Sequence, residues 1–206
     1  MACLGQRIGM VCLAVLAFAG CGRKGGGDSD ESTVGPATGS ALIGAWQTTC
    51  INDKDSSSRG FADLDGNTMV TSSRDFGLTD CRNGDNFDDY RSTYSILSFV
   101  DPSEMSGWST LKVTVQSHRL LYTTQAAADW ANRASWFGYT DWQPNVEKDI
   151  AGRKSKADDP ARTPRSRVGE SRYFTMTVED GKMRFANYKN GQALRSEDAW
   201  DVMERR

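Results

Sequence analysis

Five cysteines and a single histidine carry the covalent and acid–base chemistry available to this chain near neutral pH. Cys3 and Cys12 fall within the first twenty residues, Cys21 closes an apolar run, and Cys50 and Cys81 stand alone in the remainder. A cysteine ending a short apolar run suits thiol acylation. If the first twenty residues are removed on export and Cys21 is modified, Cys50 and Cys81 remain as an even pair, and an even count in an exported protein reads as a disulfide. Closing a loop of about 30 residues would stabilise the fold by about 3–4 kcal/mol on the chain-entropy account.

The other chemistry is thinner. Any Ser/His/Asp arrangement would have to use His118. The alternation of its strand puts His118 on the polar face, no G-x-S-x-G is present, and nothing supplies a nucleophile–base pair. The expectation is therefore a protein that is not an enzyme. Asp63-Leu64-Asp65-Gly66-Asn67 resembles a calcium loop in outline only, because its glycine comes two places early and no bidentate Glu follows. Asp85, Asp88 and Asp89 form a second acidic cluster. Both read as turn chemistry, with no metal and no cofactor expected.

The residues that would deliver these groups begin with an export segment. Arg7 is the only charge before residue 23, and Ile8 to Ala19 is apolar. That run is too short to span a bilayer, which takes about 20 residues, and has the length of a signal-peptide core. It ends in Phe18-Ala19-Gly20-Cys21, which resembles the bacterial lipobox: a large apolar residue, two small residues that fit the peptidase cleft, and the cysteine that takes the diacylglycerol. Phe18 departs from the usual Leu. The resemblance implies a signal peptide over 1–20 and a lipid on Cys21. Gly22 stands where an Asp commonly retains lipoproteins in the inner membrane, so outer-membrane sorting is the expectation. Residues 21–41 form a Gly/Ser-rich, flexible, lipid-anchored linker with no apolar periodicity.

The domain spans 42–206. Its net charge of −2 gives no reason to expect nucleic acid, and 38% hydrophobic residues suffice for a core. Leu42 to Cys50 reads as the first strand, Arg59 to Leu64 as a second, and Asp65-Gly66 as a type I′ hairpin turn. Asp89 to Val100 alternates, with Tyr90, Ser92, Tyr94 and Ile96 on one face. Thr110 to Leu121 follows, Leu111, Val113 and Val115 opposite Lys112, Thr114 and Gln116. Thr124 caps a helix predicted over Gln125 to Trp136, ended by Gly138. Asp141 to Ile150 is extended, and the basic stretch near 151–168 is a mobile loop. That loop is solvated or touches anionic lipid or polysaccharide. Further strands cover Gly169 to Glu179, Lys182 to Tyr188 and Ala199 to Glu204, with turns at Asp180-Gly181 and Asn190-Gly191. About nine short strands at this spacing, with one short helix, predict an all-β sandwich or closed barrel.

Gly44-x-Trp46 on the first strand, with Arg205-Arg206 after the last, resembles the lipocalin/calycin signature. There the first-strand Trp packs beneath an Arg near the last strand and closes one end of the barrel, so the resemblance implies an all-β, small antiparallel up-and-down barrel of about 8–9 strands with one short helix and assigns Gly44, Trp46 and Arg205 to closure. Cys50, Cys81 and Thr140-Asp141-Trp142-Gln143-Pro144-Asn145-Val146-Glu147-Lys148-Asp149 extend it to a group of bacterial lipoproteins with a lipocalin-like domain. The expected role is a non-enzymatic envelope module, held to the membrane by its lipid, that binds a small apolar ligand. The alternative is a structural or protein-interaction lipoprotein with a filled barrel. Trp130, Trp136 and Trp142, crowded with Phe137 and Tyr139, are either the wall of a ligand site or a plug packed as core.

Overall fold

The structure is a computed structural model that describes residues 39–82, 86–100, 107–156, 159, 162–189, 192–196 and 198–206. The export segment, Cys21, nearly all of the linker, Asp85, the Asn190-Gly191 turn and the middle of the basic stretch lie outside the described residues.

The strands are β1 (Gly44–Gln47), β2 (Ile51–Asn52), β3 (Ser57–Leu64), β4 (Thr68–Phe76), β5 (Asn86–Val100), β6 (Ser109–Tyr122), β7 (Lys148–Asp149), β8 (Ser171–Glu179), β9 (Lys182–Lys189), β10 (Gln192–Arg195) and β11 (Val202–Arg205). Eight of them close a ring in the order β1-β3-β4-β5-β6-β8-β9-β11, with β11 pairing back to β1 and every pairing antiparallel. The chain is thus an up-and-down barrel, a closure that leaves no sheet edge in the ring. The short β7 and β10 flank β6 and β9.

The predicted first strand is split. Gln47 pairs with Phe61, but Ile51 pairs with Ser58, so β1 and β2 carry one residue more than β3 between these points. Thr48 fills the bulge: its N–H donates to Gly60 O at 2.9 Å and its Oγ1 accepts from Gly60 N at 3.0 Å, which keeps buried ladder groups satisfied. A second bulge changes the reading of β6. Tyr94 pairs with Val115 while Thr93 pairs with Ser117, leaving Gln116 exposed and unpaired in the ladder. Before it the odd positions Leu111, Val113 and Val115 point inward; after it the even positions His118, Leu120 and Tyr122 do. His118 therefore faces the interior rather than the polar side, because one extra residue shifts a period-two pattern by one step.

Two turns separate in kind. At Asp180-Gly181 both residues have positive φ, as a type I′ turn requires. At the β3–β4 turn Gly66 has φ +95° while Asp65, the other residue of the expected I′ pair, does not have positive φ, so that geometry is absent. The Asp65 carboxylate holds that turn instead, accepting from Asn67 N at 2.9 Å and Thr68 N at 2.7 Å.

The core has two parts. Leu42, Trp46, Met69, Leu111, Phe174 and Met176, with further inward side chains of the ring, form one continuous cluster inside the barrel. A second cluster lies at the opposite end from Trp46, where Leu120 and Tyr122 meet helix α1 (Gln125–Arg133) and the segment through Ile150. Thr124 caps α1, its side chain accepting from Ala127 N at 3.2 Å, and Ala128 and Ala131 are fully buried. The helix stops at Arg133 rather than Trp136, because Ser135 and Phe137 adopt left-handed φ of 47° and 54° that no α-helix continues through.

Candidate functional site

The closed end of the barrel is built by β1 and β11, which set Trp46 directly opposite Arg205. Trp46 is 0% exposed and its Nε1–H donates to Leu42 O at 2.9 Å. The Arg205 guanidinium lies 4.4 Å from the indole centre and donates to Ile43 O at 3.3 Å and Ala41 O at 3.2 Å. Gly44 makes room for it: its φ is +140°, and a Cβ there would stand 2.6 Å from Arg205 Nη1. The three residues assigned to closure by resemblance are thus brought together, with Trp46 buried beneath an exposed Arg205.

At the other end, the disulfide joins Cys50 to Cys81 across a sequence separation of 31, with Cα atoms 5.8 Å apart. It ties the bulged first strand to the residues that follow β4, and Cys81 N donates to Ser57 Oγ at 2.9 Å beside it.

The predicted aromatics pack outside the ring, over the end of β6. Trp142 is buried edge-on to Tyr122 and Tyr139, with ring centres 4.9 and 5.3 Å away. Trp130 and Trp136 meet at 5.2 Å. The Trp142 Nε1–H donates to Trp136 O at 3.2 Å. The Asn132 side chain grips the Trp142 backbone, donating to its carbonyl at 3.0 Å and accepting its N–H at 2.6 Å. Lys148 pairs with Asp141, holding that carboxyl below its usual range, and its ammonium sits 4.6 Å from the Tyr139 ring centre. Arg153 covers Tyr139 at 4.2 Å. The Trp142–Lys148 segment is accordingly folded onto itself and against α1. Of its predicted extended run, Lys148–Asp149 is the part that pairs with β6 as a strand; Pro144 makes one isolated bridge to Tyr122.

Between the two clusters lies a polar network that alternation in the sequence did not reveal. Ser92 Oγ lies 2.8 Å and Tyr90 Oη 3.0 Å from His118 Nδ1, and Ser92 Oγ donates to Tyr90 Oη at 2.8 Å. With Tyr90 donating onward, Nδ1 accepts and the proton resides on Nε2, which has no partner among the described residues. Burial, with Arg165 and Arg172 nearby, pushes the His118 pKa down to about 4. Arg165, from the basic stretch, lies 4.5 Å over the Tyr90 ring, and Arg172 Nε donates to Ser166 Oγ at 2.5 Å. The stretch is fastened at both flanks by Gly152 N to Ser166 O at 3.1 Å and Arg165 N to Arg153 O at 2.9 Å.

A serine–histidine contact therefore exists, although strand alternation did not point to one. Its chemistry is nevertheless poor for acyl transfer. Ser92 is 1% exposed, no carboxylate holds the second ring nitrogen, and an imidazole of pKa about 4 is a weak base near neutral pH. One strand further, Asp75 and Asp88 face each other in register across β4 and β5 and hydrogen-bond through their carboxyls. Burial raises the pKa of Asp75 to about 6 and that of Asp88 well above the carboxylate range, and both raise that of buried Tyr122. Among the described residues no group of acids, histidines or cysteines is arranged to hold a metal ion.

No protein-family model matches this sequence. No curated protein matches it either.

Proposed function

We propose that this protein is a lipid-anchored envelope protein of the lipocalin-like group, held by Cys21 to a bacterial outer membrane, and that its barrel is a solid structural and protein-interaction module. Of the two roles open from the sequence, the packing of the interior supports the second. Trp46, Met69, Leu111, Val115, Met176 and Met183 point inward, are each 0% exposed and belong to one cluster. An eight-stranded barrel can be filled by its own side chains or hold one small ligand, and these inward, fully buried side chains support the filled form. The aromatics Trp130, Trp136 and Trp142 support the same reading, since their rings and polar atoms are engaged with each other and with α1. The buried, carboxylate-free Ser92–His118 contact supports a non-enzymatic role.

Native mass spectrometry of the purified protein tests the interior: the expected mass is that of the processed, acylated chain alone. A stoichiometric co-purified apolar molecule would return the barrel to ligand binding. Fractionation of a Cys21→Ser variant tests the anchor. The variant should lose lipid processing; if it remains fully processed and membrane-bound, the anchoring reading fails.

A further inference from the structure

Four arginines gather on one patch of the barrel's outer face. In β3 the residues Gly60, Ala62 and Leu64 are buried toward the interior, so Arg59, Phe61 and Asp63 face out. The register sets Arg59 opposite Arg74 and Phe61 opposite Ser72 on β4. It then sets Arg74 opposite Asp89 and Ser72 opposite Arg91 on β5. Arg206 reaches the same patch from beyond β11. Its N–H donates to Ala45 O at 3.0 Å, and its guanidinium pairs with Asp63 and lies 5.3 Å from the Phe61 ring centre. Arg74 lies 5.2 Å from that same ring. Phe61, Ser72, Arg74, Arg91 and Arg206, with Asp63 and Val70, line a groove of about 320 Å³.

The charges of this patch do not balance. Asp89 is engaged by Arg74 at 3.1 Å and Asp63 by Arg206. Two cations remain. Arg91 is exposed and has no hydrogen-bond or ion-pair partner among the described residues. Arg59, beside the groove rather than in its lining, has a buried Nε without a partner among the described residues. Like charges directly opposite on neighbouring strands, as Arg59 and Arg74 are, destabilise a sheet. A bound anion would offset that cost.

We propose that this groove binds a phosphate-type oxyanion, with Arg91 and the Ser72 hydroxyl as its direct contacts and Arg74 and Arg206 closing its sides. Guanidinium forks match such groups bidentately. The tetrahedral shape is favoured over a carboxylate because the cations approach from different elements, β4, β5 and the residue after β11. A carboxylate presents its two oxygens in one plane, whereas a phosphate presents acceptors on several sides. The group has two sources, free phosphate or a phospholipid headgroup. The second rests on the anchoring reading, since Arg206 adjoins β1, the strand the anchored segment would lead into.

Isothermal titration of the full chain, at fixed ionic strength in chloride buffer, tests the site in two arms. One titrant is inorganic phosphate. The other is glycerophosphoglycerol, the deacylated headgroup of phosphatidylglycerol, with glycerophosphocholine as its zwitterionic control. Binding should appear in at least one arm and weaken at least tenfold in Arg91→Gln, with Ser72→Ala intermediate. Arg91 is exposed, so its variant should keep the wild-type urea midpoint, and Ser72→Ala reads the same contact should it not. Phosphate binding alone assigns the site to free phosphate; glycerophosphoglycerol binding without response to glycerophosphocholine assigns it to an anionic headgroup. No binding in either arm, or binding unchanged in both variants, overturns the proposal. A failure of Cys21 to carry lipid would remove the headgroup source without touching the phosphate arm.

Discussion

The Arg205 guanidinium lies over the Trp46 indole, 4.4 Å from its centre, at the seam where the last strand of the ring meets the first. Residues 159 positions apart in sequence are thereby neighbours, so the seam reports closure of the whole barrel. The indole supplies buried apolar area, its N–H is satisfied by Leu42 O, and the cation caps its exposed side.

Trp46→Ala should cost about 3–5 kcal/mol, as for other large-to-small changes at fully buried sites. Arg205→Ala should cost about 0.5–2 kcal/mol, the range of a cation–π contact. Arg206→Ala should cost less, because its ion pair with Asp63 is at the surface. Gly44→Ala forces a side chain into a positive-φ position and displaces the guanidinium, for about 1–3 kcal/mol. Equilibrium urea unfolding ranks the four; a Trp46→Ala midpoint equal to that of Arg206→Ala would show that the seam does not hold the barrel.

What could be read from the residues follows from where period-two alternation holds. Leu111, Val113 and Val115 are inward as expected, Thr124 caps its helix, and the strand succession closes as an up-and-down ring. The misreadings fall where the backbone departs from regular geometry. A bulge at Gln116 hid the inward turn of His118, and with it the contact to Ser92. Left-handed residues at 135 and 137 cut the helix short, and neither is a glycine that would have signalled it. Asp88 reads from the sequence as a turn acid, while Asp75 carries no signal of its own; their facing pair exists only once the β4–β5 register is set. The arginine groove has the same origin, since Arg59, Arg74 and Arg91 lie on three strands and gather only by register.

Asn132 should be the residue on which the aromatic plug depends. Its amide makes both hydrogen bonds to the Trp142 backbone, at 2.6 and 3.0 Å, linking α1 to the folded-back segment. Asn132→Ala leaves a partly buried N–H and C=O without these partners, a loss of about 1–3 kcal/mol. The effect should be local. Amide hydrogen exchange should speed up over residues 125–150 while β1, β3 and β11 stay protected. Uniform acceleration across the barrel would mean that the plug and the ring unfold as one unit.

Acid–base linkage supplies the last prediction. Asp75, raised by burial to about 6, stabilises the fold while protonated. That contribution is fully present below its unfolded value near 3.8 and is lost as pH rises through about 6. Asp88, raised by burial and by the Asp75 charge, acts in the same direction. His118 acts in the opposite sense. Depressed by burial to about 4, it contributes stability that is complete above its unfolded value of 6.5 and is lost as pH falls through about 4. The two slopes oppose each other between pH 4.5 and 6.5. Within that window the acids offset part of the rise that the histidine produces, so wild-type stability should change less with pH there than it would with either kind of group alone. The exposed carboxyls Asp65 and Asp141, whose pKa values are lowered, titrate below the window and do not enter it. In the double variant Asp75→Asn, Asp88→Asn the opposing contribution should disappear, and stability should rise with pH from about 4.5 to 6.5. In His118→Gln the acids are unopposed, and stability should fall across the whole range. Urea midpoints at half-unit pH steps decide it: if the double variant keeps the wild-type pH dependence between about 4.5 and 6.5, the facing carboxyls are not the groups that the fold holds protonated.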